Sequence, residues 1–200
     1  MFIIGLTGGI GTGKSTVSKY LEEKGCYILD ADAISRKMTE KGMPALKEIA
    51  KAFGHNLILE DGNLDRASLG NIVFNNKEKL DVLQSIITNK VVEYITSEIN
   101  KLKSNNYKGI VVIDAPLLFE CNMHGIGDEN WLVSVDLDIR ISRVMARDGL
   151  SKEQILSRIN NQMSQEDKEK LSHVILDNSG SLEELYAQID MNLERVRNEF

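Results

Sequence analysis

Short runs of Ile, Val and Leu alternate along the chain with longer segments in which apolar residues recur at helical spacing. The short runs predict five strands, at residues 2–6, 27–30, 110–113, 132–135 and 174–176. Residues 15–24 and 139–147 are predicted to be helical, and the Ser-Leu-Glu-Glu sequence at 181–184 is a capping box that opens a C-terminal helix. This alternation is typical of a parallel sheet covered by helices, so the predicted fold class is α/β.

A long stretch without a strand pattern separates the second predicted strand from the third. Between residues 31 and 108 the apolar positions fall near helical spacing, most clearly over residues 80–102. This is far more chain than one crossover helix needs, so we predict a helical insertion at the rim of the sheet. Ligands of open α/β sheets bind outside the carboxyl ends of the strands, where this insertion begins. We therefore expect a second substrate there, although the insertion could also merely decorate the fold.

The glycine-rich sequence after the first strand carries the clearest chemistry. Gly8-x-x-x-x-Gly13-Lys14-Ser15 matches the phosphate-binding loop pattern and lies between a predicted strand and a predicted helix, as that pattern requires. Its glycines allow successive N–H groups to point into one concavity that holds phosphates. We expect Lys14 to reach the β and γ phosphates of a nucleotide and the Ser15 hydroxyl to bind Mg²⁺.

Composition and charge restrict the partners of this loop. The chain has 200 residues, 42% of them hydrophobic, and a net charge of −6, which argues against general binding to nucleic acid or to an anionic membrane. Its two cysteines are too few for a disulfide framework, and no apolar run is long enough to span a membrane. We expect a cytoplasmic protein that binds small molecules. We expect it to be a monomer, although the sequence leaves an oligomer open.

Several protein classes use such a loop. A GTPase should carry an Asn-Lys-x-Asp motif that reads the base, but the near match at residues 89–92 lacks the aspartate. A small-molecule kinase is the better interpretation. The alternative from another class is a nucleotide-binding switch that hydrolyses slowly and acts through partners.

Carboxylates follow two of the predicted strands. Asp30 and Asp32 end the second strand and would face the same side if the backbone stayed extended there. We expect Asp32 to act as the base toward an acceptor hydroxyl, whereas Asp30 could equally be a helix N-cap. Asp114 ends the third strand, in the general form of an element that supports Mg²⁺, but turn chemistry alone would also explain it.

A basic stretch stands out in this acidic chain. It contains Arg140, Arg143, Arg147, Lys152 and Arg158. Arg143 and Arg147 are four residues apart and so lie on one helix face, where they could grip the transferred phosphoryl group as a lid closes. The sequence does not decide which of the two does so, and a solvated face is the other interpretation.

Taken in order, the motifs of the chain resemble those of dephospho-coenzyme A kinases over almost its whole length. Besides the loop they are Asp30-Ala31-Asp32, Asp61-Gly62-x-Leu64-Asp65-Arg66, Pro116-Leu117-Leu118-Phe119-Glu120, Arg143-x-x-x-Arg147-Asp148-Gly149, Arg158-x-x-x-Gln162-Met163 and Ile175-Leu176-Asp177-Asn178-x-Gly180. The chain departs from the family's pattern at Thr88-Asn89, where His-Pro is usual, and at Ser172-His173, where Ala-Asp is common.

The resemblance implies an Mg²⁺-dependent transfer of the γ-phosphoryl group of ATP to the ribose 3′-hydroxyl of dephospho-coenzyme A. It implies a P-loop kinase fold, a parallel five-stranded sheet flanked by helices. Residues 1–30, 109–138 and 172–200 would form the nucleotide-binding core, residues 31–108 a helical acceptor subdomain, and residues 139–171 a small helical lid. A kinase of the nucleoside, nucleotide or shikimate type is the alternative within the same class.

The resemblance also implies site residues. The ATP-binding residues would be Gly9, Gly11, Thr12, Gly13, Lys14, Ser15, Thr16, Asn178 and Gly180, with Ser15 also at the metal. The catalytic residues would be Lys14, Asp32, Arg143 and Arg147. The acceptor would contact Asp32, Arg36, Arg66, Leu117, Leu118 and Glu120.

Overall fold

The computed structural model describes residues 1–74 and 76–199. The strands are β1 (Phe2–Thr7), β2 (Tyr27–Asp30), β3 (Ile110–Asp114), β4 (Glu129–Ser134) and β5 (Val174–Asp177). The helices are α1 (Lys14–Glu23), α2 (Ala31–Met38), α3 (Pro44–Phe53), α4 (Arg66–Phe74), α5 (Lys77–Ser104), α6 (Leu137–Asp148), α7 (Lys152–Asn160), α8 (Gln165–Leu171) and α9 (Leu182–Asn198). Each predicted strand is present, and β4 begins three residues earlier than predicted.

The five strands form one sheet in the order β2-β3-β1-β4-β5. β1 pairs in parallel with β3 on one side and β4 on the other, and β4 pairs in parallel with β5. The chain therefore leaves β1 toward one edge of the sheet and later crosses to the other. In α/β sheets this reversal creates a crevice at the carboxyl ends of the central strands, where ligands bind.

The chain folds into two compact units. The first contains residues 1–29 and the chain from Leu102 onward, and the second is Asp30–Lys101. In the first unit, apolar residues of the sheet pack against α1 and α9 around the fully buried Trp131. The second unit has its own core, to which α3, α4 and the connection between them contribute Leu46, Ile49, Leu57, Leu64, Leu69 and Val73. In residues 31–74 and 76–108 there is no strand beyond an isolated bridge, which confirms the predicted helical character of this stretch.

The start of α2 corrects one expectation. The Asp30 carboxylate accepts hydrogen bonds from the N–H groups of Asp32 and Ala33, both at 2.9 Å, and so caps the helix. The backbone therefore turns into a helix at residue 31 and does not stay extended. Asp30 and Asp32 are consequently not alternate residues of one strand, and the capping interpretation of Asp30 is confirmed.

The structure also accounts for the two departures from the family's pattern. Thr88 and Asn89 lie within α5, which runs unbroken for 28 residues where a proline would have removed a backbone donor. In β4, the carbonyl of Asn130 accepts a hydrogen bond from the His173 N–H (2.8 Å), and the backbone N–H of Asn130 donates to His173 Nδ1 (3.0 Å). An acceptor nitrogen thus stands where a carboxylate is common, and it pairs a buried donor.

Across the described ranges, no helix combines the length and the apolar character needed to cross a membrane.

Candidate active site

The glycine-rich loop joins β1 to α1 at the carboxyl end of the central strand. Gly11 and Gly13 have φ angles of 79° and 85°, in the left-handed region that glycine adopts without strain. Gly13 is the N-cap of α1, and the Gly9 carbonyl accepts a hydrogen bond of 2.9 Å from the Thr12 hydroxyl. The loop therefore presents bare backbone at a helix N-terminus, which is favourable for phosphate binding. The predicted order of strand, loop and helix is confirmed.

Lys14, the first residue of α1, forms an ion pair with Asp114 at the end of β3. The two meet because the parallel register sets Asp114 beside Leu6, just before the loop. Asp114 is only 5% exposed, so its carboxylate is held in place by the sheet. The carboxylate keeps the ammonium group of Lys14 at the mouth of the loop, where a phosphate can compete for it.

The protein oxygens near this ion pair are few, and they suit Mg²⁺ better than a metal that needs a full set of protein ligands. Ser15 follows Lys14 directly and is exposed, and Asp114 adds a carboxylate. Mg²⁺ usually takes one or two protein oxygens together with phosphate oxygens and water. Within residues 1–74 and 76–199, no group of three His, Cys, Asp or Glu side chains could hold a metal ion.

Asn178, the residue after β5, connects the loop to α6. Its buried side-chain amide donates to the carbonyl of Thr12 at 2.7 Å, and its own carbonyl accepts from Arg143 at 3.0 Å. Gly180 is exposed and directly precedes Ser181, the N-cap of α9. The structure thus brings Thr12, Arg143 and Asn178 together, three residues that the resemblance assigned to the nucleotide side.

The arginines of α6 have three different environments. Arg147 is 64% exposed and pairs with Asp148 through two hydrogen bonds of 2.7 and 2.9 Å. These hydrogen bonds lower the pKa of Asp148 below its usual value. Arg143 is half-buried against Asn178, and Arg140 is buried, with hydrogen bonds to Ile10 and Gln165. Arg140 therefore does not belong to a solvated basic face.

The segment after β3 holds three residues assigned to the acceptor. Leu117 is exposed, whereas Leu118 is fully buried, so a direct contact of Leu118 with a substrate is not supported. Glu120 Oε1 accepts the N–H of Met163 and pairs with Lys168 Nζ, both at 3.0 Å. Glu120 Oε1 is thereby committed to contacts within the first unit.

The second unit carries the other residues assigned to the acceptor. Asp32 and Arg36 are exposed and four residues apart on α2, hence on one face of that helix. Arg66 at the start of α4 donates to the Thr39 hydroxyl at 2.8 Å, and that hydroxyl donates to the carbonyl of Arg36 at 2.9 Å. The Arg66 guanidinium therefore contacts the hydroxyl that bonds the backbone carbonyl of Arg36.

Sequence reasoning missed two contributors in the first unit. Lys168 is 2% exposed although it lies in the charged run Gln-Glu-Asp-Lys-Glu-Lys, which has the appearance of a solvated surface. Gln162 was part of a motif but received no role, and its side chain accepts the N–H of Ile10 in the phosphate-binding loop. The motif Arg158-x-x-x-Gln162-Met163 is a signal that could have marked Gln162 as a site residue. Nothing in the sequence around Lys168 indicates that this lysine is buried.

Comparison with known proteins agrees with this geometry. A family model described as dephospho-CoA kinase matches residues 2–184. A dephospho-CoA kinase from Carboxydothermus hydrogenoformans is 49% identical over 187 residues, which cover 94% of this chain and 90% of the relative. The crystal structure of TT1252 from Thermus thermophilus has a TM-score of 0.80 at 35% identity and covers 98% of this chain and 97% of that one. For a dephospho-CoA kinase from Campylobacter jejuni the TM-score is 0.72 at 26% identity, with 98% of each chain covered.

The parallel five-stranded sheet with a phosphate-binding loop after its central strand defines a P-loop kinase. The chain belongs to the dephospho-CoA kinase family, as its ordered motifs indicated, and it is an ATP-dependent kinase.

Proposed function

We propose that the chain transfers the γ-phosphoryl group of ATP to the ribose 3′-hydroxyl of dephospho-coenzyme A, giving coenzyme A and ADP. The observation that carries this proposal is a family match over residues 2–184 together with a complete phosphate-binding loop in the required context. A loop of this kind binds the donor, and the family supplies the identity of the acceptor.

The donor phosphates would lie on the loop between β1 and α1. The N–H groups of residues 11–16 would hold them, and Lys14 would exchange Asp114 for the β and γ phosphates. Ser15 would bind Mg²⁺, and Asp114, which pairs with Lys14 beside Ser15, would support the metal. When bound, Mg²⁺ neutralises charge on the phosphate oxygens. Asn178, bonded to Thr12, would fix the loop from the side of β5, and Gly180 would lie near the adenine.

Asp32 would orient and deprotonate the 3′-hydroxyl of the acceptor. Asp32 is an exposed residue in the first turn of α2. In a loose phosphoryl-transfer transition state, positioning of the nucleophile contributes more than base strength. Arg36, exposed on the same helix as Asp32, and Arg66 would bind anionic groups of the same acceptor.

The transferred phosphoryl group would be stabilised from α6. Arg143 is the better candidate because it already contacts Asn178 beside the loop, whereas Arg147 would first have to leave Asp148. We assign the core to residues 1–30, 109–138 and 172–200, the acceptor subdomain to residues 31–108 and the lid to residues 139–171. The net charge of −6 supports a protein that works on small molecules, without nucleic acid or a membrane. We assign it a cytoplasmic location and a monomeric state.

The test is ADP production by the purified chain with Mg²⁺ and ATP, in a coupled assay, with one acceptor at a time. We expect dephospho-coenzyme A to stimulate ADP release, with adenosine, AMP and shikimate near the acceptor-free rate. Equal rates with all four, or stimulation by shikimate or AMP alone, would contradict the proposal. Hydrolysis that needs no acceptor and increases with a protein partner would favour the switch interpretation.

A further inference from the structure

The peptide groups of Ile10, in the middle of the phosphate-binding loop, are bonded on both sides by residues outside the loop. The Ile10 N–H donates to Gln162 Oε1 at 3.2 Å, and Arg140 Nε donates to the Ile10 carbonyl at 3.1 Å. The Ile10 side chain also packs against the small apolar cluster formed by α6 and α7. One loop residue is therefore held at its donor, its acceptor and its side chain by the segment that follows β4.

Arg140 makes this contact under unfavourable conditions. It is 5% exposed, and burial lowers the pKa of its guanidinium below the usual value. Its hydrogen-bond partners are neutral, the Ile10 carbonyl and Gln165 Oε1 at 3.2 Å. Arg140 takes part in none of the ion pairs among the described residues. A buried charge without an ion pair costs free energy in folding, so stability alone gives no reason for its placement.

Gly9 shows how closely the two side chains approach the loop. A Cβ atom at Gly9 would lie 2.5 Å from one terminal nitrogen of Arg140 and 3.2 Å from Gln162 Oε1. Any larger residue would displace the guanidinium from the loop. The absence of a side chain at Gly9 thus serves Arg140 and Gln162, in addition to any approach of phosphate.

We propose that Arg140 and Gln162 are positioning residues that hold the Ile10 peptide groups and so keep the phosphate-binding loop in its nucleotide-binding conformation. Four of the six residues 8–13 are glycines, and ordering each flexible residue on binding costs roughly 1–2 kcal/mol. A loop ordered before the nucleotide arrives avoids part of that cost. Arg140 and Gln162 therefore raise the affinity for the nucleotide. This inference rests on the proposed function only in taking ATP as that nucleotide.

The test compares Gln162→Ala and Arg140→Lys with the unmodified chain. The first removes the acceptor of the Ile10 N–H, and the second keeps the charge but loses the fork that joins Ile10 to Gln165. We expect hydrogen exchange at the Ile10 amide, in the nucleotide-free protein, to be about ten-fold faster in Gln162→Ala. From the net value of one hydrogen bond, the KM for ATP should rise about 3- to 10-fold in each variant while kcat at saturating ATP stays within about two-fold.

Two further variants separate positioning from general damage. Asn161→Ala changes an exposed neighbour of Gln162 and should leave Ile10 exchange and the KM for ATP unchanged. Gln162→Glu keeps an acceptor oxygen and should restore slow exchange at Ile10. If Gln162→Ala and Arg140→Lys matched Asn161→Ala in both readouts, or if kcat fell while the KM for ATP did not change, the proposal would be overturned. Because the exchange measurement needs no acceptor, its failure is distinct from a failure of dephospho-coenzyme A to stimulate turnover.

Discussion

Asp30 and Asp32 are two residues apart and carry the same side chain, yet their surroundings give them different roles. The Asp30 carboxylate accepts hydrogen bonds from two N–H groups at the start of α2, and Asp32 is an exposed residue of the first turn. Asparagine caps a helix about as well as aspartate does, but it cannot accept a proton from a hydroxyl. The same substitution at the two positions therefore separates capping from catalysis.

We expect Asp32→Asn to lower kcat by about 10²- to 10⁴-fold, the usual contribution of a general base. Affinity for ATP and the Tm should change little, because Asp32 is exposed and the substitution is nearly isosteric. The measurements are steady-state turnover with dephospho-coenzyme A, calorimetric binding of ATP and thermal unfolding.

Asp30→Asn is the matched control and should keep turnover within about two-fold, since the cap is retained. Near-normal turnover in Asp32→Asn would remove Asp32 from the proposed mechanism. A loss of turnover in Asp30→Asn as large as that in Asp32→Asn would contradict the division of roles.

The arginines of α6 show what could be predicted for single residues and what could not. Helical spacing correctly grouped Arg140, Arg143 and Arg147 on one helix, because spacing depends on the backbone alone. Their burial depends on what packs against each position, and that is set by the loop after β1 and by the residue after β5. The phosphate-binding loop could be identified because its backbone geometry requires glycine at Gly11 and Gly13, and because phosphate binding requires a positive charge such as that of Lys14.

At the scale of an element, α8 depends on the burial of one lysine. Lys168 Nζ contacts Glu120 and the carbonyl of Pro116, at 3.0 and 3.1 Å, and is 2% exposed. Lys170, two residues later, pairs with Glu166 and Asp167 at the surface. Both lysines lie in one short helix and pair with carboxylates. The difference between the stability losses caused by their substitution therefore measures the effect of burial.

We expect Lys168→Ala to lower the free energy of unfolding by about 2–4 kcal/mol, because it leaves the largely buried Glu120 carboxylate without its counter-charge. Lys170→Ala should cost less than about 1 kcal/mol, since exposed ion pairs contribute little. Urea unfolding followed by fluorescence measures both, because the single tryptophan, Trp131, is fully buried in the same unit.

A loss in Lys168→Ala no larger than that in Lys170→Ala would show that the buried pair contributes nothing net. In that case Lys168→Met combined with Glu120→Gln should be no more stable than Lys168→Ala. If the unpaired carboxylate is the cause, the double variant recovers part of the loss.

The elements differ in how well their sequences predict them. The strands were predicted because buried parallel strands are continuous apolar runs, and α5 because apolar residues recur at helical spacing over residues 80–102. α8 has no such face: within its seven residues the fully buried side chain is the charged Lys168. The turn into α2 was also not decided by sequence, since an aspartate after a strand fits both an extended chain and a helix cap.

At the scale of the whole molecule, one buried thiol links stability to alkaline pH. Cys26 lies in the main core of the first unit, and burial raises the pKa of its thiol from an ordinary 9.0 to about 11, although the charge of Arg197 opposes the shift. Burial also raises the pKa of Tyr107, to which the charge of Cys26 contributes. A thiol that stays protonated in the folded chain but ionises in the unfolded chain stabilises the fold fully below pH 9.

This stabilisation should be lost as the pH rises from 9 toward 11, by about 1 kcal/mol at pH 10, because the unfolded chain then binds fewer protons than the folded one. We expect the free energy of unfolding, measured by urea titration of Trp131 fluorescence at several pH values, to decline more steeply in the unmodified chain than in Cys26→Ala. The comparison cancels groups that titrate in the same way in both proteins; Tyr107 cancels only in part, because the charge of Cys26 contributes to its shift. Cys121→Ala removes the half-buried cysteine and should keep the steep decline. Parallel pH profiles for the unmodified chain and Cys26→Ala would mean that the thiol ionises equally in both states.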